Sequence, residues 1–358
     1  MPRPLPFAGG PEQPRSLRGM LHRVRSSATR AARSALGFGA QRVASNEWLT
    51  SVVYDLMNET NFTGLSEHEE MLSDRVRVDA YHRGIHANIH PGDVVVDLGT
   101  GSGLLACMAS RAGASKVYAI EHGEIIDLAR EIAAHNGCDN IEFVRTNSRE
   151  FTPPEPVGVI LHEQMGDELF NENMVENVLD LRDRALRPGG RVLPSAFRLF
   201  VEPVTFAPEH RVRRLWNIDL PDALDLSATE HSATAARFDN GRMDQVWARP
   251  GSVAATLQPP TPVLEFTLDE LPSIDALAVD HVIDRTASTD AVVDGLCVWF
   301  DTAFDDQVSM TTSPLAPPTS WGNRVFRVDA DIRSGERRRW HLHLGNFVDP
   351  ATWSVEPL

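Results

Sequence analysis

The segment Val94-Val95-Val96-Asp97-Leu98-Gly99-Thr100-Gly101-Ser102-Gly103 is followed, eighteen residues past its first glycine, by Val117-Tyr118-Ala119-Ile120-Glu121. A β-branched run stops at an acid, enters a glycine turn and resumes as helix-forming Leu104-Leu105-Ala106-Cys107-Met108-Ala109. That order reads as a buried strand, a tight loop and a helix N-terminus, the opening βαβ unit of a nucleotide-binding sheet. Glycines at 99, 101 and 103 allow positive φ and a close backbone approach to a ligand. A dinucleotide fingerprint would place its third glycine at 104, which is Leu104. The spacing suits a nucleoside without a pyrophosphate, and Glu121, ending the next strand, can accept from both ribose hydroxyls. Taken alone, the glycines are a weak signal, with a bare tight turn as the lesser alternative; the acid on the second strand favours the nucleoside site.

Outward from this unit the pattern repeats. Strands are expected near Val94–Asp97, Val117–Glu121, Ile141–Arg145 and Val157–His162, and helices near Leu104–Arg111 and Ile125–Asn136. A helix near Asn173–Ala185 should stop before Pro188-Gly189-Gly190, with a strand at Arg191–Pro194. Upstream, helical periodicity runs from Asn46 to about Tyr81, and Ser66-Glu67-His68-Glu69 reads as a capping box in which Glu69 reaches back to Ser66. After Ser195 the texture becomes alternating, as in Arg198-Leu199-Phe200-Val201-Glu202 and Val263-Leu264-Glu265-Phe266-Thr267-Leu268. This is an all-β unit, a sandwich or a barrel, interrupted by a polar stretch at about 215–245. The resulting division is a tail at 1–44, an α/β domain with leading helices at 45–195 and a β domain at 196–358.

The 358 residues, 42% apolar and 23% charged, describe a soluble globular chain of two-domain length. A net charge of −16 argues against nonspecific nucleic-acid binding and suits a cationic substrate, although acidity also serves solubility alone. No apolar run is long enough to cross a membrane. Cys107, Cys138 and Cys297 have no metal-ligand spacing, so neither a metal nor disulfides are expected and the setting is read as reducing and cytoplasmic. The tail at 1–44 carries eight arginines against Glu12 alone. It reads as a flexible basic segment; its Arg- and Ser-richness also resembles a transit peptide, without a marked cleavage site.

A second constellation follows the fourth strand: Glu163-Gln164-Met165-Gly166-Asp167-Glu168-Leu169-Phe170-Asn171-Glu172. In open α/β sheets the ligand crevice lies beyond the carboxyl ends of the strands, which puts Glu163 and Glu172 at the rim of the nucleoside site. Two carboxylates can chelate a planar guanidinium. The plainer reading is a solvated acidic loop.

These motifs together resemble the protein arginine methyltransferase family over about residues 55–350. His68-Glu69-Glu70-Met71-Leu72-Ser73-Asp74-Arg75-Val76-Arg77 is similar to its His-Glu-Glu-Met-Leu-x-Asp-x-x-Arg helix. The glycine segment resembles its cofactor loop, and Glu163 with Glu172 its double-glutamate loop. Ser313-Pro314 and Thr319-Ser320-Trp321 are similar to its Ser-Pro and Thr-His-Trp segments. The resemblance implies a doubly wound Rossmann-like domain followed by a β-barrel with a dimerisation arm. It also implies S-adenosylmethionine as methyl donor and a guanidino nitrogen of an arginine, in a protein, a peptide or free, as acceptor.

By the same resemblance Glu163 and Glu172 are catalytic. Arg77 pairs with the donor carboxylate, and His68 and Met71 lie near its reacting end. Asp97, Gly99, Gly101 and Gly103 line its amino-acid portion, Glu121 holds the ribose and Ser148 lies in the adenine loop. Asp74, Met165, Met174 and Trp321 are implied to contact the acceptor. Spacing adds one constraint: on a single helix, residues 68, 71, 74 and 77 step back about 60° each, so not all can face one ligand.

The chemistry asks for two acids. A free guanidinium stays protonated to pH above ~12, and its nitrogens are poor nucleophiles. Carboxylates on one side draw the charge toward the nitrogens they touch, and the remaining nitrogen regains lone-pair character. Near-attack positioning contributes a further ~7–11 kcal/mol. Three departures from the family pattern stand out. Asn58-Glu59 and Phe62 replace a Tyr-Phe-x-x-x-Tyr segment, Ser320 replaces a histidine expected to pair with Asp74, and Asn147-Ser148-Arg149-Glu150 is unusual for the adenine loop. They keep two other readings open, a small-molecule methyltransferase and a catalytically weak interaction protein. A homodimer is expected through the 215–245 arm, whose Trp216, Leu220, Leu224 and Leu226 suit an interface; the alternative is a loop folded on its own barrel.

Overall fold

The computed structural model describes residues 64–211, 213–238 and 244–358. The basic tail, the helices expected before residue 64, and positions 58, 59 and 62 lie outside the described residues. Two helices open the described chain, α1 (Leu65–Ser73) and α2 (Arg75–Asn88). They divide the stretch 68–77 that the spacing constraint treats as a single helix. Asp74 is extended at φ −72°, ψ 96°, and its side chain accepts from the Arg77 amide at 3.0 Å, so it ends one helix and caps the next. The capping box is also corrected. α1 starts after Gly64, without a side-chain cap, and Ser66 lies inside it, its hydroxyl donating to Glu67 at 2.9 Å.

The α/β unit then follows: β1 (Val94–Leu98), α3 (Leu104–Ala112), β2 (Lys116–Glu121), α4 (Ile126–His135), β3 (Ile141–Arg145) and β4 (Val157–His162). It closes with α5 (Met174–Ala185) and β5 (Leu186–Leu193). All its strands pair in parallel in the order β3-β2-β1-β4-β5. The chain winds outward from β1, then returns to lay β4 beside it, and a crevice opens at such a switch between the strand ends. β4 is buried along its whole length, as a run of Val, Ile and Leu between two neighbours requires. The stop at Pro188-Gly189-Gly190 is not a gap: β5 takes up those residues through a register shift opposite Val157–Val159.

Antiparallel strands fill the rest. β6 (Ala196–Phe206), β7 (Gln245–Ala248), β8 (Val253–Thr256), β9 (Leu264–Thr267), β11 (Ala291–Ala303), β12 (Ser309–Thr311) and β13 (Asn323–Ile332) form a seven-stranded sheet. β10 (Asp280–Thr286), β14 (Arg337–Asn346) and β15 (Asp349–Pro357) form a three-stranded one. The parallel sheet and the β unit share one hydrophobic core, which runs from Val95 and Ile160 through Phe170 and Met174 to Phe197, Phe300 and Trp340. Between β6 and β7 the arm has no strand among its described residues; it is built of short 3-10 turns at Leu215–Asn217, Pro221–Ala223 and Ser227–Thr229 and one helical turn.

Candidate active site

The glycine segment turns at the carboxyl end of β1 with Gly99, Gly101 and Gly103 at φ of 74°, 50° and 81°. At two of these an added side chain would also be tightly crowded. A Cβ on Gly101 would lie 3.1 Å from His68 Cε1, and one on Gly103 would lie 3.0 Å from the Ala129 methyl of α4. His68, buried on α1, therefore covers the loop. Met71, one turn further along α1, is half-buried. At the end of β2 the Glu121 carboxylate spans two backbone amides, accepting from Gly101 at 3.1 Å and Gly123 at 2.8 Å.

Asp97 is fully buried beneath this loop. Oδ2 accepts from the Thr100 hydroxyl at 2.5 Å, while Oδ1 has no hydrogen-bond partner. Burial pushes its carboxyl up to about 7, against the opposing pull of the Thr100 hydroxyl. A buried acid with an unsatisfied oxygen under a glycine cradle fits the binding of a polar, cationic group. Ser148 lies in the turn after β3, where its carbonyl accepts from Arg184 at 3.0 Å.

β4 delivers Glu163 into the same crevice. Its Oε2 lies 2.6 Å from Arg77 Nη2, and the two side chains are 13% and 14% exposed. Burial raises the Glu163 carboxyl to about 6; the Arg77 guanidinium pulls it down and Asp74 pushes it up. Arg77 also lies over the Trp321 ring, 5.5 Å from its centroid. The helix break at Asp74 is what permits this. His68 on α1 and Arg77 on α2 reach one crevice, which the single-helix spiral would have denied them.

The loop after β4 is a tight hairpin closed by a Gly166–Leu169 bridge, with Leu169 at φ 77° and Asn173 at φ 53°. Positive φ at Leu costs of order 1–3 kcal/mol and persists only where the surroundings hold it. They do so from the β unit. Trp321 Nε1 donates to the Met165 carbonyl at 2.6 Å, and the Gly322 amide donates to Asp167 at 2.7 Å. Arg324 Nε donates to the buried Glu168 at 2.6 Å. Glu172 is half-buried in the turn before α5. Met165 and Met174 are enclosed in the core, at 2% and 0% exposure.

Ser320, which the sequence presents as a missing histidine, still meets Asp74. Its amide donates to Asp74 Oδ2 at 2.7 Å and its hydroxyl at 3.1 Å. Sequence reading also missed Tyr81, whose buried hydroxyl donates to the His162 carbonyl at 3.0 Å, and the Glu168–Arg324 pair. Glu168 could have been suspected, because an acid between Gly166 and Leu169-Phe170 has apolar neighbours on one side. Nothing in sequence pairs it with a residue 156 positions away.

A methyltransferase domain family matches residues 95–190, the stretch that carries the glycine loop and both glutamates. Protein arginine N-methyltransferase PRMT10 of Oryza sativa subsp. japonica is 31% identical over 304 residues, covering 77% of this chain and 79% of that protein. Protein arginine N-methyltransferase 6 of Danio rerio is 28% identical, covering 81% and 84%. Among solved structures, Arabidopsis thaliana protein arginine methyltransferase 10 superposes with a TM-score of 0.67 at 28% identity, covering 79% of this chain and 89% of that one. Sequence relationship over most of both chains, and a shared fold, place the protein in the S-adenosylmethionine-dependent protein arginine N-methyltransferase family.

Proposed function

We propose that this protein transfers a methyl group from S-adenosylmethionine to a guanidino nitrogen of arginine, with Glu163 and Glu172 as the residues that hold the acceptor. The observation that carries the reading is Glu163, a 13%-exposed carboxylate at the switch between β1 and β4, ion-paired to Arg77 beside the glycine cradle. The donor, when bound, supplies an electrophilic methyl group on a sulfonium. His68 and the glycine loop enclose its amino-acid portion, Asp97 takes its cationic amine, Arg77 its carboxylate and Glu121 its ribose. Glu163 and Glu172 bind the acceptor guanidinium from one side and polarise it, which leaves one nitrogen directed at the methyl carbon. Ser320 is a hydroxyl donor to Asp74 and carries no base, so it takes no proton at neutral pH.

The functional division is proposed at about residue 195, with donor binding before it and acceptor binding shared with the β unit after it. The arm supports a homodimer reading: Leu215, Ile218, Leu224 and Phe238 are 39%, 40%, 63% and 81% exposed, an apolar set suited to cover by a second copy. Three unpaired thiols support a reducing, cytoplasmic setting. Among the described residues no helix is long and apolar enough to cross a membrane.

Glu163→Gln tests the central claim. It keeps shape and hydrogen-bonding capacity but removes charge. Methyl transfer to an arginine peptide should fall by about 10²–10³, as for loss of one preorganised electrostatic contact, while calorimetry shows donor affinity retained. Near-normal turnover would overturn the guanidinium reading.

A further inference from the structure

Gly99 is the first residue past β1, and the side chain that lies over it comes from the end of β4. The two strands pair in parallel with Leu98 opposite His162, so the glycine loop opens where Glu163 and Gln164 leave the neighbouring strand. The three atoms nearest the position of a Cβ on Gly99 all belong to Gln164: Nε2 at 3.5 Å, Cγ at 3.8 Å and Cδ at 3.9 Å. The Gln164 amide therefore rests against bare backbone of the loop. Its Oε1 is buried and has no hydrogen-bond partner. The same holds for Asp97 Oδ1, two residues before Gly99. Gly99 is thus flanked by two enclosed oxygens, one of a carboxylate and one of a neutral amide, that no donor of the protein satisfies. Leaving such groups unpaired is costly, and two of them beside one glycine call for a ligand group rich in N–H donors.

We propose that Gln164 is the second acceptor for the α-ammonium of the methyl donor, which its amide oxygen holds together with Asp97. The inference rests on the placement of the donor in the glycine loop proposed above and adds a binding residue to it. Sheet order decides which end of the donor meets Gln164. Glu121 on β2 takes the ribose and Ser148 lies in the adenine loop after β3, so along the order β3-β2-β1-β4 the amino-acid end falls toward β4. That end carries the carboxylate assigned to Arg77 and, on the same carbon, the ammonium. An ammonium has three N–H donors and no acceptor, more than the one open oxygen of Asp97 can use. A neutral amide oxygen completes the set without adding charge beside two buried carboxylates, Asp97 and Glu163. The acceptor guanidinium is a poorer match, because one of the two open oxygens, Asp97 Oδ1, lies beneath the glycine loop and not in the loop after β4.

The test is calorimetry on the intact protein with two ligands that share adenosine, thioether and carboxylate. One is S-adenosylhomocysteine; the other is its deaminated analogue, 5′-S-(3-carboxypropyl)-5′-thioadenosine. Gln164→Leu should weaken S-adenosylhomocysteine about tenfold, as loss of one hydrogen bond to a charged group, and leave the analogue within about twofold. Gln164→Glu keeps an oxygen in the same place and should bind S-adenosylhomocysteine within about threefold of the parent, or more tightly. An equal loss on both ligands in Gln164→Leu would overturn the proposal by showing a packing role alone. Unchanged affinity for S-adenosylhomocysteine would overturn it too, and a raised acceptor KM in that variant would turn the amide toward the guanidinium instead. If the unaltered protein bound neither ligand, the placement of the donor itself would fall.

Discussion

Arg77 and Glu163, 86 residues apart, form an ion pair of 2.6 Å at the point where α2 meets the end of β4. The guanidinium opposes the burial that pushes Glu163 up to about 6, and so keeps an enclosed carboxylate available at neutral pH. Acceptor binding needs that carboxylate ionised, so kcat/KM should rise with pH through about 6 on its acid side. Arg77→Met removes the opposing cation. The acid limb should then move to higher pH, measured at saturating donor to separate this from weaker donor binding. A limb that stays in place would show that Arg77 does not set the ionisation of Glu163.

Asp97 gives a stability prediction with the opposite sense to a paired carboxylate. Its folded carboxyl is raised to about 7 by burial, from an ordinary value near 3.8. The folded state therefore holds the proton longer than the unfolded chain. Stability is complete below about pH 4 and is lost as pH rises through about 7, an effect of order 2–4 kcal/mol. Asp97→Asn should accordingly melt higher than the parent at pH 8 without donor and at the same temperature near pH 4. It should also lose donor binding, and calorimetry with S-adenosylmethionine checks that second half.

Gly101 is the loop residue at which an added side chain would meet His68. With φ at +50° and His68 Cε1 3.1 Å from the site of a Cβ, Gly101→Val strains the backbone and displaces the histidine that covers the loop. Donor affinity should fall below calorimetric detection while the far-UV circular dichroism stays unchanged. Undiminished affinity in a folded variant would remove the donor from this loop.

Asp74 and Ser320 should differ in consequence although they touch. Ser320→Ala removes the 3.1 Å hydroxyl contact and leaves the 2.7 Å amide contact, so methyl transfer should change by less than about threefold. Asp74→Ala removes both and the cap of α2, which costs about 0.5–2 kcal/mol in stability and should lower turnover by more than tenfold through Arg77. Equal losses in the two variants would assign the chemistry to the serine hydroxyl.

The arm is tested by removal. Deleting residues 217–240 should leave a folded protein that sediments as a monomer and binds S-adenosylmethionine more weakly. An intact protein that is already monomeric and active at nanomolar concentration would end the dimer reading.

Some of this molecule is written locally. The β-branched run of Val94–Val96, the glycines after it and the acid at 121 have no other economical arrangement than strand, turn, helix and strand, because each is a statement about backbone freedom or burial within a few residues. The order of motifs then places Glu163, directly after the fourth strand, at the switch point by topology alone.

The remainder depends on groups that a sequence does not display. The break at Asp74 follows from its side chain preferring the Arg77 amide and the Ser320 backbone to the middle of a helix, and only that break brings His68 and Arg77 into one crevice. Ser320 reads as the absence of a histidine, yet its contact with Asp74 survives because the shorter of the two hydrogen bonds comes from a backbone amide that any non-proline residue would supply. Glu168 with Arg324, and Trp247 above Gly322, join residues about 75 to 156 positions apart. The chain's own residues determined the glycine loop, the order of the motifs and the family. Tertiary packing alone decided which side chains hold the loop after β4 in place, since desolvation and proximity exist only once distant strands have met.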